Sequence, residues 1–178
     1  MGFFQTIRDE AQKRNLRFLV IGGLAVNLHG HSRDTGDLDL LVLKETRPAW
    51  LEIFGGLGYT VYRDAGVFLQ LTPPQEGAWP VDLMFVNSDT FTQMMQGAVE
   101  EDIYGSRLLI PSLDHLLTLK LHALKHSHVG RFMKDFMDVE NLIRINKLDV
   151  RSEKYRLLFL KYGNAELHEK IIRAIAAE

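Results

Sequence analysis

The chain has 178 residues, 46% of them hydrophobic, with 21 basic against 23 acidic side chains and a formal charge of −2. That length fits one domain with a sizeable core, and the balanced charge argues against a general nucleic-acid or membrane-surface binder, which is normally basic. There is no cysteine, which excludes disulfides and thiolate chemistry.

Residues 3–15 have helical spacing and mixed charge, without the continuous apolar segment and cleavage site of a signal peptide. No apolar run approaches the roughly 20 residues that span a bilayer, so a cytoplasmic protein without membrane contact is expected. Arg17–Ile21 reads as a short buried strand, broken by Gly22-Gly23; Leu24–Leu28 forms one or two helical turns, and His29–Gly36 a loop. Leu38–Leu43 is a second strand. Pro48–Leu57 is a helix with proline near its start, closed by Gly58. Tyr59–Arg63 and Val67–Thr72 are strands joined at Asp64-Ala65-Gly66, a hairpin signal. Pro80–Val86 is a further strand, and Ser88 caps a helix to Gln96. After Pro111 the pattern turns helical. Ser112 caps a helix to about His126, His128–Gly130 breaks it, and Arg131–Ile145, residues 151–161 and residues 164–177 follow. The expected fold class is α+β: a small mixed β-sheet with flanking helices, then an all-helical C-terminal third. The expected division is a core over 1–110 and a helical region over 111–178 packed on it as one compact unit.

Asp37 and Asp39 lie two residues apart, which puts them on one face of a strand while Leu38 and Leu40 turn to the core. Two like charges that close repel, and a divalent cation removes the conflict; oxygen ligands suit Mg²⁺ or Mn²⁺. The bland alternative is a polar strand end facing water. Asp82 lies in Val81-Asp82-Leu83-Met84-Phe85, where Val81, Leu83 and Phe85 take one face and Asp82 the other. It is either a solvent-side strand residue or a third ligand of a two-metal site. Gly22-Gly23 after a strand lets backbone approach a phosphate closely.

Gly22, Gly23, Arg33, Thr35, Asp37, Asp39 and Asp82 together resemble the nucleotidyltransferase superfamily built on a DNA polymerase β-type palm. The helical block Leu119-Lys120-Leu121 followed by Arg131-Phe132-Met133-Lys134-Asp135-Phe136-Met137-Asp138 is similar to that of the AbiEii-type abortive-infection branch. Many superfamily members carry Gly-Ser where this chain has Gly22-Gly23. The resemblance implies a nucleotidyltransferase-like core. It implies transfer of a nucleoside monophosphate from a nucleoside triphosphate (NTP) to a hydroxyl of a tRNA, a protein or a small molecule, releasing pyrophosphate. The triphosphate would sit at Gly22-Gly23, with Arg33, Thr35 and Lys120 also binding the nucleotide. Asp37 and Asp39 would hold two Mg²⁺ ions, and Asp82 the one that activates the acceptor.

Lys120 falls in the middle of an apolar face formed by Leu116, Leu117, Leu121, Ala123 and Leu124. An ammonium there needs a partner. Either it pairs with Asp135 on the next helix, or it reaches the triphosphate; a snorkelling lysine is the plainer alternative. His115, His122 and His126 share a helical face, a spacing that can bind zinc. His29 and His31 read as loop residues. Tyr59, Tyr62 and Phe68 read as core, although one could stack a base. The competing function is a catalytically weak nucleotide- or partner-binding domain, such as one half of a toxin–antitoxin pair with a cognate partner protein.

Overall fold

The computed structural model describes residues 2–126 and 129–176. The chain forms two compact units. One runs to Ala25 and resumes over Arg33–Ser112; the other takes Val26–Ser32 and the described residues from Leu113 onward. The segment 26–32 therefore groups with the C-terminal helices, which no boundary drawn in chain order captures.

The first unit opens with α1 (Phe3–Lys13), which buries Phe4, Ile7 and Ala11 at helical spacing. It stops where Asn15 takes a left-handed φ of 53° and the Leu16 amide bonds back to the Ala11 carbonyl at 2.8 Å, a helix-ending geometry that asparagine tolerates. A five-stranded sheet follows in the order β1-β2-β5-β4-β3. Its strands are β1 (Phe18–Val20), β2 (Leu38–Leu43), β3 (Thr60–Asp64), β4 (Phe68–Thr72) and β5 (Val81–Val86). β2 and β5 run parallel, and the other pairs are antiparallel. Leu38, Leu40, Leu41 and Val42 of β2 are all buried, as a parallel strand covered on both faces requires. The helix α3 (Arg47–Gly56), with Pro48 in its first turn, contributes Trp50, Ile53 and Phe54 to the core. Trp50 meets Phe18 edge-on at 5.5 Å, and Phe54 meets Tyr59 at 5.3 Å.

Three points of the sequence reading are corrected here. A two-stranded hairpin, β6 (Val99–Ile103) and β7 (Ser106–Ile110), fills a stretch the sequence left unassigned. Its acidic run Glu100-Glu101-Asp102 hides the alternation. Its turn places both Tyr104 and Gly105 at positive φ, 50° and 79°, the twist that suits a tight hairpin. The helix α4 (Ser88–Gln96) is capped by Asn87, not Ser88: the Asn87 side chain accepts the Thr90 amide at 2.9 Å. Tyr62 is 76% exposed rather than core, because β3 is an edge strand exposed along its whole length. Tyr59 is buried and Phe68 half-buried. Gly22 and Gly23 follow the strand and open the helix α2 (Gly22–Leu28), as read from the sequence.

The second unit contains α5 (Leu113–His126), α6 (Val129–Ile145), α7 (Glu153–Tyr162) and α8 (Ala165–Ala176). α6 starts at Val129, so the backbone of Gly130 belongs to the helix; His128, in the expected break, and residue 177, at the expected end of the last helix, lie outside the described residues. Leu116, Leu117, Leu121, Leu124, Val139, Leu142, Ile143, Phe159 and Ile171 form its core. The segment before β2 is tied to α6 and its end. Asn146 Nδ2 donates to the His29 carbonyl at 3.0 Å. Gly30, at a φ of 104°, passes so close to Ile145 that a Cβ would come within 2.9 Å of it. Among the described residues, no helix is long and apolar enough to cross a membrane.

Candidate active site

Asp39 and Asp82 are direct partners across the parallel strands β2 and β5. Asp37 stands two residues before Asp39, just ahead of β2, and projects to the same side. Ligand-capable oxygens of all three carboxylates lie within 4.8 Å of one another. Three anions at that spacing repel by roughly 3 kcal/mol per pair at an effective dielectric near 20. The residues fit a divalent cation: the donors are hard oxygens and converge on one point. Among the described residues this is the one cluster of three or more metal-ligating side chains.

The backbone is fitted closely around the cluster. The Ile21 amide donates to the Asp39 carbonyl at 2.9 Å, which draws the end of β1 against β2. Gly22 follows with a φ of 62°, and a Cβ there would sit 1.8 Å from Asp39 Oδ2. Only glycine fits. At Gly23 a Cβ would meet Thr35 Oγ1 at 2.4 Å and Arg33 Nη1 at 3.1 Å. Thr35 Oγ1 in turn donates to Asp37 Oδ1 at 2.9 Å, and Arg33 Nη1 donates to the Asp34 carbonyl at 3.0 Å. The structure thus brings together Gly22, Gly23, Arg33, Thr35, Asp37, Asp39 and Asp82. α2 is only seven residues long, so close backbone approach, rather than a long helix dipole, is what this turn offers an anion.

Gln70, which sequence reasoning passed over, belongs to the same surface. It is the cross-strand partner of Asp82 on β4, and its Nε2 lies 3.3 Å from both Asp82 oxygens. Its only sequence signal is its place in the alternation Phe68, Gln70, Thr72 around the buried Leu69 and Leu71.

Lys120 belongs to the helical unit. Its ammonium, 7% exposed with its residue, contacts Asp135 Oδ1 at 2.8 Å and Asp138 Oδ2 at 2.7 Å. The expected Lys120–Asp135 pair is present, enlarged by Asp138. Arg131 Nε lies 3.4 Å from Asp135 Oδ2, and His31 Nε2 lies 3.8 Å from Asp138 Oδ1. Two carboxylates thus share one ammonium, which offsets the cost of burying it. His122 and His126 meet edge to face with ring centroids 4.7 Å apart; burial, then the neighbouring His126 and Lys125, push the His122 imidazole below its ordinary value.

No protein-family model and no curated protein matches the sequence. Solved structures do match. An antigenic nucleotidyltransferase-like protein from Paracoccidioides brasiliensis is 15% identical over 98% of this chain and 91% of its own, with a TM-score of 0.60. The antibiotic-resistance factor ANT(2'')-Ia is 19% identical over 97% of this chain and 89% of its own, at 0.58. A lincosamide antibiotic adenylyltransferase, solved with lincomycin bound, is 18% identical over 78% and 93%, at 0.56. The fold is that of the nucleotidyltransferases. Within this nucleotidyltransferase fold Asp39 and Asp82 pair across the parallel strands β2 and β5, with Asp37 just ahead of β2 and the glycine turn against Asp39.

Proposed function

We propose that this chain is a nucleotidyltransferase that moves a nucleoside monophosphate from an NTP to a hydroxyl acceptor. The observation that carries the reading is the convergence of Asp37, Asp39 and Asp82 within 4.8 Å, in a fold shared with adenylyltransferases. Bound Mg²⁺ or Mn²⁺ would supply charge neutralisation and Lewis acidity at the α-phosphoryl group. Asp37, steadied by Thr35, and Asp39, hemmed in by Gly22, would hold that charge. Gly22 and Gly23 admit the β- and γ-phosphates against bare backbone, and Arg33 supplies a guanidinium next to them. Asp82 would join them in holding the cation on the acceptor side, and it takes up the acceptor hydroxyl's proton as the new O–P bond forms. The bond between the α-phosphorus and its bridging oxygen breaks, and pyrophosphate leaves. Catalysis is then mostly positioning and electrostatics.

The acceptor we favour is a small hydroxyl-bearing molecule. Two of the structural relatives act on or resist antibiotics, and a net charge of −2 gives little attraction for a long RNA. A second reading is favoured by the engagement of Lys120 with Asp135 and Asp138, which withholds that cation from a triphosphate. In it the chain is an AbiEii-like, catalytically weak half of a toxin–antitoxin pair, binding NTP or a cognate protein without turnover.

Incubating the protein with each of four α-³²P-labelled NTPs, Mg²⁺, and pools of metabolites, RNA and protein separates the two. The transferase reading expects label on one pool, with pyrophosphate released, and loss of both in Asp39→Asn. NTP binding with no label transferred to any pool supports the second reading instead.

A further inference from the structure

Asp39, Asp82 and Gln70 form a row across three neighbouring strands, β2, β5 and β4, each the direct cross-strand partner of the next. Gln70 Nε2 sits equidistant from the two Asp82 oxygens at 3.3 Å. A donor shared in this way resists rotation of the carboxylate about its Cβ–Cγ bond, since turning it would bring one oxygen closer and carry the other away. The chemistry of the donor is also selective. A lysine or arginine at this place would orient Asp82 equally well but would cancel one of the three negative charges. An amide donates without adding charge, so the cluster keeps its full attraction for a cation.

We propose that Gln70 is a positioning residue that sets the cation preference of the carboxylate cluster. By fixing the orientation of Asp82 it favours a small ion that demands near-octahedral geometry, Mg²⁺ or Mn²⁺, over Ca²⁺, which accepts loose and variable oxygen ligands. This rests on the reading that Asp37, Asp39 and Asp82 hold a divalent cation. Partners one shell out from a metal commonly control affinity by tenfold or more when removed.

The test uses the full chain without nucleotide. Mn²⁺ binding is followed by the paramagnetic resonance of the free ion, and Ca²⁺ binding by its displacement of Mn²⁺. Gln70→Leu is expected to weaken Mn²⁺ by roughly tenfold and Ca²⁺ by much less, so the preference narrows. Gln70→Glu, which keeps the side-chain length and adds an oxygen ligand, is expected to narrow it from the other side by tightening Ca²⁺. If the wild type binds Mn²⁺ and both variants keep its preference, or lose both ions in equal proportion, the role assigned to Gln70 is wrong. If the wild type takes up neither ion, the cation-site reading itself fails and the proposal goes with it.

Discussion

Gly22 has almost no latitude. Its φ of 62° is left-handed, and a methyl group there would overlap Asp39 Oδ2 at 1.8 Å. Gly22→Ala is therefore expected to cost at least about 1 kcal/mol in urea unfolding, and also to displace Asp39 and abolish cation uptake in a Mn²⁺ titration. Lys120 makes a different kind of claim. Its removal leaves Asp135 and Asp138 buried without their ammonium, and Lys120→Met should cost about 3–5 kcal/mol in the same unfolding measurement. Adding Asp135→Asn and Asp138→Asn should return much of that loss. A Lys120→Met protein with unchanged stability but a raised KM for NTP would mean that the lysine serves the nucleotide after all. At this scale the sequence was informative where chemistry is unusual. Two aspartates at i, i+2 in an apolar strand, and a lysine in a leucine face, both break the pattern and declare themselves. Gln70 breaks nothing, since a glutamine on a half-exposed strand is ordinary, and only the pairing of β4 with β5 reveals what it touches.

Among the elements, strands with clean alternation were legible and the β6–β7 hairpin was not. Its turn rests on Tyr104 at a φ of 50°, and tyrosine carries no turn signal. The burial of Tyr59 and exposure of Tyr62 separate two residues whose composition is identical; strand order, which places β3 at the sheet edge, decides between them. Tyr59 donates its hydroxyl to the Trp79 carbonyl at 2.8 Å, and burial pushes its phenol up to about 12 from an ordinary value near 10. The native state thus holds the proton more tightly than the unfolded chain. Tyr59 contributes fully below about pH 10 and loses that contribution as pH rises toward 12. Tyr59→Phe should be less stable at pH 8 and show a flatter decline between pH 10 and 12, followed by circular dichroism. The tie between α6 and the segment before β2 is equally specific. Asn146→Ala removes the donor to the His29 carbonyl, 3.0 Å away, and should cost about 1 kcal/mol in unfolding free energy.

For the molecule as a whole, the α+β class and the helical C-terminal third were readable because hydrophobic period changes from two to 3.6 along the chain. The grouping of residues 26–32 with the C-terminal helices was not, because it depends on contacts between segments more than 100 residues apart, such as Asn146 with His29. The convergence of Asp82 with Asp37 and Asp39 lies between these cases. Sequence pattern sets which face each carboxylate takes, but only the parallel pairing of β2 with β5 puts Asp39 opposite Asp82. The most direct measurement is thermal unfolding of wild type, Asp39→Asn and Asp82→Asn with a non-hydrolysable NTP at about 100 times its Kd, with and without Mg²⁺. Wild type should gain roughly 5 °C or more only when both ligands are present, and neither variant should gain. A wild-type shift that is the same without Mg²⁺, or that survives in both variants, would contradict the account.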